Sequence, residues 1–152
     1  MTTPNPIPEH LHTVTPRLVV SDGAAAIEFY VRAFGAEEVG ERFTGPGGEL
    51  IHAEVQIGSS VVMLTGESDE ARSPNSAGAV TAILATYWED VDAAWKRAVE
   101  AGAEVIFPLA DQFYGERGGR LRDPFGHHWM LSQVIEDVPP EEMERRGAEF
   151  FG

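Results

Sequence analysis

The apolar positions of this chain change period in a set order: one short run, a helical stretch, then three alternating runs. Thr15-Pro16-Arg17-Leu18-Val19-Val20 has the β-branched character of a strand. Ser21 or Asp22 follows, and either offers a side-chain oxygen to the orphan N–H groups of a helix start. Ile27, Tyr30, Val31 and Phe34 then recur at i, i+3, i+4 and i+7, one face of a helix, and Gly35 supplies a left-handed stop. Three strand-like segments come next. Glu38–Phe43 is the first; the Gly45-Pro46-Gly47-Gly48 turn leads into Leu50–Ile57; the Gly58-Ser59-Ser60 turn leads into Val61–Thr65. In the middle segment Ile51, Ala53, Val55 and Ile57 alternate with His52, Glu54 and Gln56, the period of two of a strand with one polar face.

The order then repeats. Asp22 has a counterpart in Asp90, Gly35 in Gly102, Gly58 in Gly126 and Met63 in Met130, at offsets of 67 or 68 residues. The second copy reads as a strand over Ala79–Thr86 and a helix capped by Asp90 and ended by Gly102. That helix has an apolar face of Val91, Ala94, Trp95, Ala98 and Val99. Strands follow at Glu104–Phe107, around Arg120-Leu121-Arg122, and at His128–Gln133. Residues 1–14, rich in proline and polar groups, read as an N-terminal arm. One domain spans 15–135, with modules at 15–66 and 79–135 and an aperiodic polar joint at 67–78. Residues 136–152 form a short helical tail, with prolines and acids in its first turn and Arg145-Arg146 near its end, as the helix dipole favours. Three strands joined by short turns favour an antiparallel meander. The predicted class is α+β: two tandem βαβββ modules forming a curved, mostly antiparallel mixed sheet around a central cleft. Each helix covers one sheet face and leaves the face with His52, Glu54 and Gln56 toward the cleft.

Composition narrows the chemistry. The chain has 152 residues, enough for a core without a disulfide or metal staple. It has no cysteine, which rules out a thiol nucleophile and a Cys-rich zinc site. No signal-peptide pattern and no apolar run of about 20 residues is present, so the expected location is cytoplasmic, with no membrane partner. The formal net charge of −14, with scattered Lys and Arg, argues against a nucleic-acid partner. Gly45-x-Gly47-Gly48 precedes no helix start and is a hairpin turn rather than a phosphate cradle.

The words of the sequence are specific as well as its pattern. Ala26-Ile27-Glu28-Phe29-Tyr30, Ala33-Phe34-Gly35-Ala36-Glu37, His52-Ala53-Glu54, Val91-Asp92-Ala93, Ala101-Gly102-Ala103, Gln112-Phe113-Tyr114-Gly115-Glu116-Arg117 and Asp123-Pro124-Phe125-Gly126-His127-His128-Trp129 follow in order. Together they resemble the vicinal oxygen chelate superfamily of glyoxalases, bleomycin-resistance proteins and ring-cleaving dioxygenases, and its PhnB-like branch most. The resemblance implies a homodimer and a small-molecule ligand. In metal-dependent members one ligand stands on the first strand and one on the last strand of each module, and the ion stabilises an enolate. Carried over by the Phe29-Tyr30 and Gly126 landmarks, those positions are Thr15, Met63, Ile83 and Met130. A shift of two gives Arg17, Val61 or Thr65, Ala85 or Thr81, and His128 or Ser132. His128 alone is a good ligand, because a thioether is too soft for an oxygen-rich site. The superfamily metal site is therefore expected to be absent, with no cofactor.

Three functions remain open. The first is a binding protein for an aromatic or amphipathic metabolite or antibiotic. Its ligand would meet Arg17, His52, Glu54, Gln56, Met63, Phe113, Tyr114, Arg117, His128 and Met130. Met63 and Met130 would supply an adaptable floor, and Phe113 and Tyr114 a stacking surface. The second is a metal-dependent lyase, isomerase or dioxygenase holding one divalent ion with His52, Glu54 and His128. The third is a metal-free enzyme with His52 or Glu54 as general base. Whether any reaction is catalysed stays undecided at this point. The remaining groups read as structural: Glu116 pairs with Arg117, Asp123-Pro124-Phe125-Gly126 makes a turn, and His10 and His12 lie in solvent.

Overall fold

The structure, a computed structural model, describes residues 2–152 and divides into two compact units, residues 1–79 and 80–152. In the first, β1 (Arg17–Val20), α1 (Gly23–Phe34), β2 (Glu37–Thr44), β3 (Leu50–Ile57) and β4 (Ser60–Gly66) make one βαβββ module. A one-turn helix, α2 (Pro74–Ala77), follows. In the second unit, β5 (Ile83–Tyr87), α3 (Val91–Ala101), β6 (Glu104–Asp111), β7 (Glu116–Arg122) and β8 (His128–Val134) make the other module, and α4 (Pro140–Phe151) closes the chain. The strand orders are β1-β4-β3-β2 and β5-β8-β7-β6. β1 runs parallel to β4 and β5 parallel to β8, while the other pairs are antiparallel. The tandem α+β repeat is thus present, as two four-stranded mixed sheets.

Both main helices start and stop as the sequence dictates. Asp22 accepts from Ala25 N and Asp90 from Ala93 N, and Gly35 and Gly102 close with φ of 67° and 116°. Each aspartate cap contributes about 1 kcal/mol. The buried stripe of α1 is Ala26, Ile27, Phe29, Tyr30, Ala33 and Phe34; Val31, expected on that stripe, is exposed. In α3, Val91 and Ala98 are buried, while Val99 turns outward. The stripe lies one residue away from the simplest i, i+3, i+4 reading because Phe29 wins the core position.

Several boundaries differ from expectation. β5 begins at Ile83 rather than Ala79, and β6 runs on to Asp111. The polar joint contains α2, whose Ser73 cap is fully buried and accepts from Ser76 N. β3 is bulged at its start: Phe43 pairs with His52 and Thr44 with Leu50, so Ile51 is the extra residue. The bulge turns Leu50 into the core (8% exposed) and Ile51 outward (47%), which breaks the alternation at its first apolar position. The tail helix is 12 residues long, and Arg145-Arg146 sit at its middle rather than its end. There Arg146 donates to Glu136, Glu142 and the Phe113 carbonyl, docking α4 on the turn between β6 and β7. No helix among the described residues is long and apolar enough to cross a membrane.

Candidate functional site

In each sheet, strand register lines up one residue per strand in a row across the face turned away from the helix. The first row is Arg17 (β1), Met63 (β4), Glu54 (β3) and Val39 (β2). The second is Ala85 (β5), Met130 (β8), Arg120 (β7) and Phe107 (β6). Their neighbours along the strands (Leu18, Leu64, Ala53; Leu131, Leu121) are buried, as the helix-covered side requires. Topology thus makes Met63 and Met130 equivalent. It also gives Glu54 in the first module and Arg120 in the second the same place.

The first row is a closed polar network. Arg17 NH1 donates to His52 Nδ1 at 2.9 Å, and its NH2 donates to the Ile51 carbonyl at 3.1 Å. A guanidinium cannot accept, so His52 Nδ1 carries the lone pair and the ring proton sits on Nε2. That proton goes to Glu54 Oε2 at 2.9 Å, and His10 Nε2 meets Oε1 at 2.7 Å. His10, expected to be an exposed arm residue, is therefore a member of the cluster. The hydrogen bond from His52, helped by His10, holds the Glu54 carboxyl below its ordinary range against the opposing cost of partial burial. His52 has no free ring nitrogen in this arrangement, and Glu54 is a weakened base. Met63 is half-buried between Arg17 and Glu54. Gln56 lies farther along β3, where its amide donates to the Gly58 carbonyl of the next turn at 3.1 Å.

The second row borders a cavity of about 350 Å³. Phe107, Pro108, Tyr114, Met130 and Ala110 give it an apolar wall, and Gln112, Arg120 and Ser132 its polar groups. Gly118 and Gly119 complete the lining, and neither position has room for a side chain. A Cβ on Gly118 would stand 2.9 Å from Ser132 Oγ, and one on Gly119 would stand 2.6 Å from the Trp95 ring on the helix side. Gln112 is fixed by donating to the Ala110 and Gly118 carbonyls, both at 3.2 Å. Burial, then the Glu116 charge, pushes the Tyr114 hydroxyl above its ordinary pKa, so it remains a donor at neutral pH.

The structure brings some of the expected residues to this cavity and sends others elsewhere. Tyr114 and Met130 line the cavity, while Phe113 does not: it packs against Phe150 and Phe151 of α4, at ring distances of 5.1 and 5.9 Å. Arg117 points to the helix side, gripping Asp92 of α3 at 3.0 Å and Asp111 at 3.1 Å. The expected Glu116–Arg117 pair is thus replaced by Arg117 with those two aspartates, and Glu116 instead raises the pKa of the Tyr87 hydroxyl. His128 shares the face of Met130 and Arg120 and is half-buried; burial, then the charges of Arg120 and Arg122, lower its pKa. Arg120 was missed altogether. Its parity on β7 (116, 118, 120, 122 on one face) was the available signal, but Arg120-Leu121-Arg122 could not reveal which face the helix covers.

The resemblance calls for a metal at the first and last strands of each module. The register pairs Met63 with Arg17 and Met130 with Ala85 there, while Thr15 lies outside β1. A cation, a methyl group and two thioethers are not ligands for a hard divalent ion. His52 spends both nitrogens on Arg17 and Glu54, and Glu54 spends both oxygens on His52 and His10; among the described residues no group of three His, Asp or Glu side chains is arranged to hold a metal ion. The donor set does not fit the metal.

Comparison with known proteins places the chain. An uncharacterized protein of Mycobacterium bovis is 43% identical over 136 residues, covering 86% of this chain and 89% of that protein. An uncharacterized Mycobacterium tuberculosis protein is 43% identical over the same length, covering 79% of its own. Among solved structures, TioX from Micromonospora sp. ML1 superimposes with a TM-score of 0.64 at 25% identity, covering 84% of this chain and all of that one. A PhnB protein from Bacillus cereus, described as a putative 3-demethylubiquinone-9 3-methyltransferase, gives 0.57 at 21%, covering 80% and 99%, a likeness of fold alone. Residues 10–131 match the profile of the Glyoxalase/Bleomycin resistance protein/Dioxygenase superfamily, and the chain belongs to that superfamily.

Proposed function

We propose that this protein binds a small aromatic or amphipathic molecule, a metabolite or an antibiotic, without a resident metal, in the cavity on the sheet of its second module. The observation that carries the reading is the cavity itself. Its volume of about 350 Å³ lies in the range of small-molecule sites, roughly 300–1,000 Å³. Aromatic and thioether groups make its wall, and a few fixed polar groups give orientation. The first module contributes a self-satisfied network in the corresponding place, which suits a rigid support better than a reactive centre. The metal-dependent lyase, isomerase or dioxygenase reading needs His52 and Glu54 free to ligate, and both are committed to each other. The open edges β2 and β6, with Phe43 70% and Phe107 57% exposed, support a homodimer.

Thermal melting of the dialysed protein against aromatic acids, amides and divalent cations tests the reading, since a specific ligand raises the midpoint by mass action. Aromatic compounds are expected to raise it, to be recovered unchanged after long incubation, and divalent cations to leave it where it is. A stoichiometric transition metal surviving dialysis, or conversion of the bound compound, contradicts it.

A further inference from the structure

Among the described residues, Arg120 at the cavity carries the one buried side-chain nitrogen or oxygen without a partner. Its Nε is shut off from solvent and has no hydrogen-bond partner. The guanidinium lies over the Phe107 ring, 5.2 Å from the centroid, which holds its plane without engaging its N–H groups. This occurs in a chain with 25 acidic against 11 basic residues. Acids reach other arginines readily: Arg42 pairs with Glu38, Arg117 with Asp92 and Asp111, Arg122 with Glu104, and Arg146 with Glu136. Among the described residues no carboxylate pairs with Arg120. In the first module the equivalent position holds Glu54, and there the charge is met by two imidazoles. A half-buried cation with no counter-charge, one of its donors closed off from water, is costly to keep. A water would satisfy one N–H and leave the charge standing.

We propose that Arg120 is the anion receptor of the cavity, and that the ligand class is a planar aromatic acid, its carboxylate on the guanidinium and its ring against the apolar wall. This rests on the cavity being the binding site and adds which molecules it selects. The terminal NH1 and NH2 groups of a guanidinium present two N–H bonds side by side, which match the two oxygens of a carboxylate. Gln112 and Tyr114 stand on the same lining, with Tyr114 kept protonated and able to donate. The wall of Phe107, Met130 and Tyr114 suits a flat apolar body. A phosphonate offers the same two-oxygen edge, and the test separates the two.

Calorimetry with 2-naphthoate, 2-naphthamide and 2-naphthylphosphonate, on the wild type and on Arg120→Gln and Arg120→Lys, decides the matter. Naphthoate is expected to bind at least tenfold more tightly than the amide and more tightly than the phosphonate. Arg120→Gln should remove the preference for acid over amide, and Arg120→Lys should retain part of it, since a point charge replaces the fork. A cation kept for a ligand is not needed for the fold, so the melting temperature of Arg120→Gln without ligand should equal or exceed that of the wild type. Equal binding of acid and amide overturns the inference and leaves the cavity reading intact, whereas failure of all three probes overturns the cavity reading too. Tighter binding of the phosphonate corrects the ligand class. A clear fall in melting temperature for Arg120→Gln makes Arg120 structural and overturns the proposal.

Discussion

Asp123 and Arg120 are two charged groups in one unit with opposite fates. Asp123 is 3% exposed and accepts from Phe125 N, His127 N and the Trp129 indole, at 2.9, 3.0 and 2.9 Å. It organises the turn into β8, as Asp123-Pro124-Phe125-Gly126 foretold, and adds the Trp129 anchor that no local pattern announces. Asp123→Ala strands those donors, so chemical denaturation should show a loss of at least about 1–3 kcal/mol, the cost of an unmet buried polar group. Glu54 makes a prediction about pH. Its folded pKa is depressed, so its contribution is complete above the ordinary carboxylate value of 4.5 and fades as pH falls through the lower folded value. Urea midpoints of the wild type and Glu54→Gln should therefore differ most near neutrality and converge in acid. A difference that grows below pH 4.5 would show the network to be absent. Residue types were legible here, while partners separated by 35 or 44 residues, Arg17 with His52 and His10 with Glu54, were not. Only the fold brings those pairs together.

At the scale of elements, period and punctuation carried most of the information. The aspartate caps and glycine stops fixed both main helices, and turn glycines fixed the hairpins. What escaped was geometry that period alone does not encode. The Ile51 bulge exchanges inside for outside at one end of β3. The helix-covered side of β7 sends Arg117 to Asp92 and leaves Arg120 at the cavity. The α4 docking through Arg146 draws Phe113 away from the cavity and onto the tail helix. β7 also carries a sharp packing test at Gly119, where a Cβ would stand 2.6 Å from Trp95 and 2.8 Å from the Phe107 carbonyl. Gly119→Ala should destabilise by about 1–3 kcal/mol, as overpacking does. Unchanged stability in a denaturant titration would mean that α3 and β7 are not packed this closely.

Over the whole molecule, duplication set the plan, and divergence within it gave the two rows different chemistry. Both modules keep a methionine at the centre of the same row, so the ordered words and the 67- to 68-residue offset sufficed to read the superfamily from the sequence. The flanks of that methionine diverged: Arg17 and Glu54 close into a network with His52 and His10, while Ala85 and Arg120 leave one cation unmet beside a cavity. Fold does not fix function on such a scaffold; the side chains of the row do. The most direct measurement is a crystal structure of the dialysed protein soaked with 2-naphthoate. The ligand is predicted inside the cavity of the second module, its carboxylate on Arg120 and its ring against Phe107, Tyr114 and Met130. A ligand bound elsewhere with that cavity left empty, or a divalent cation coordinated by His52 and Glu54, would contradict the account.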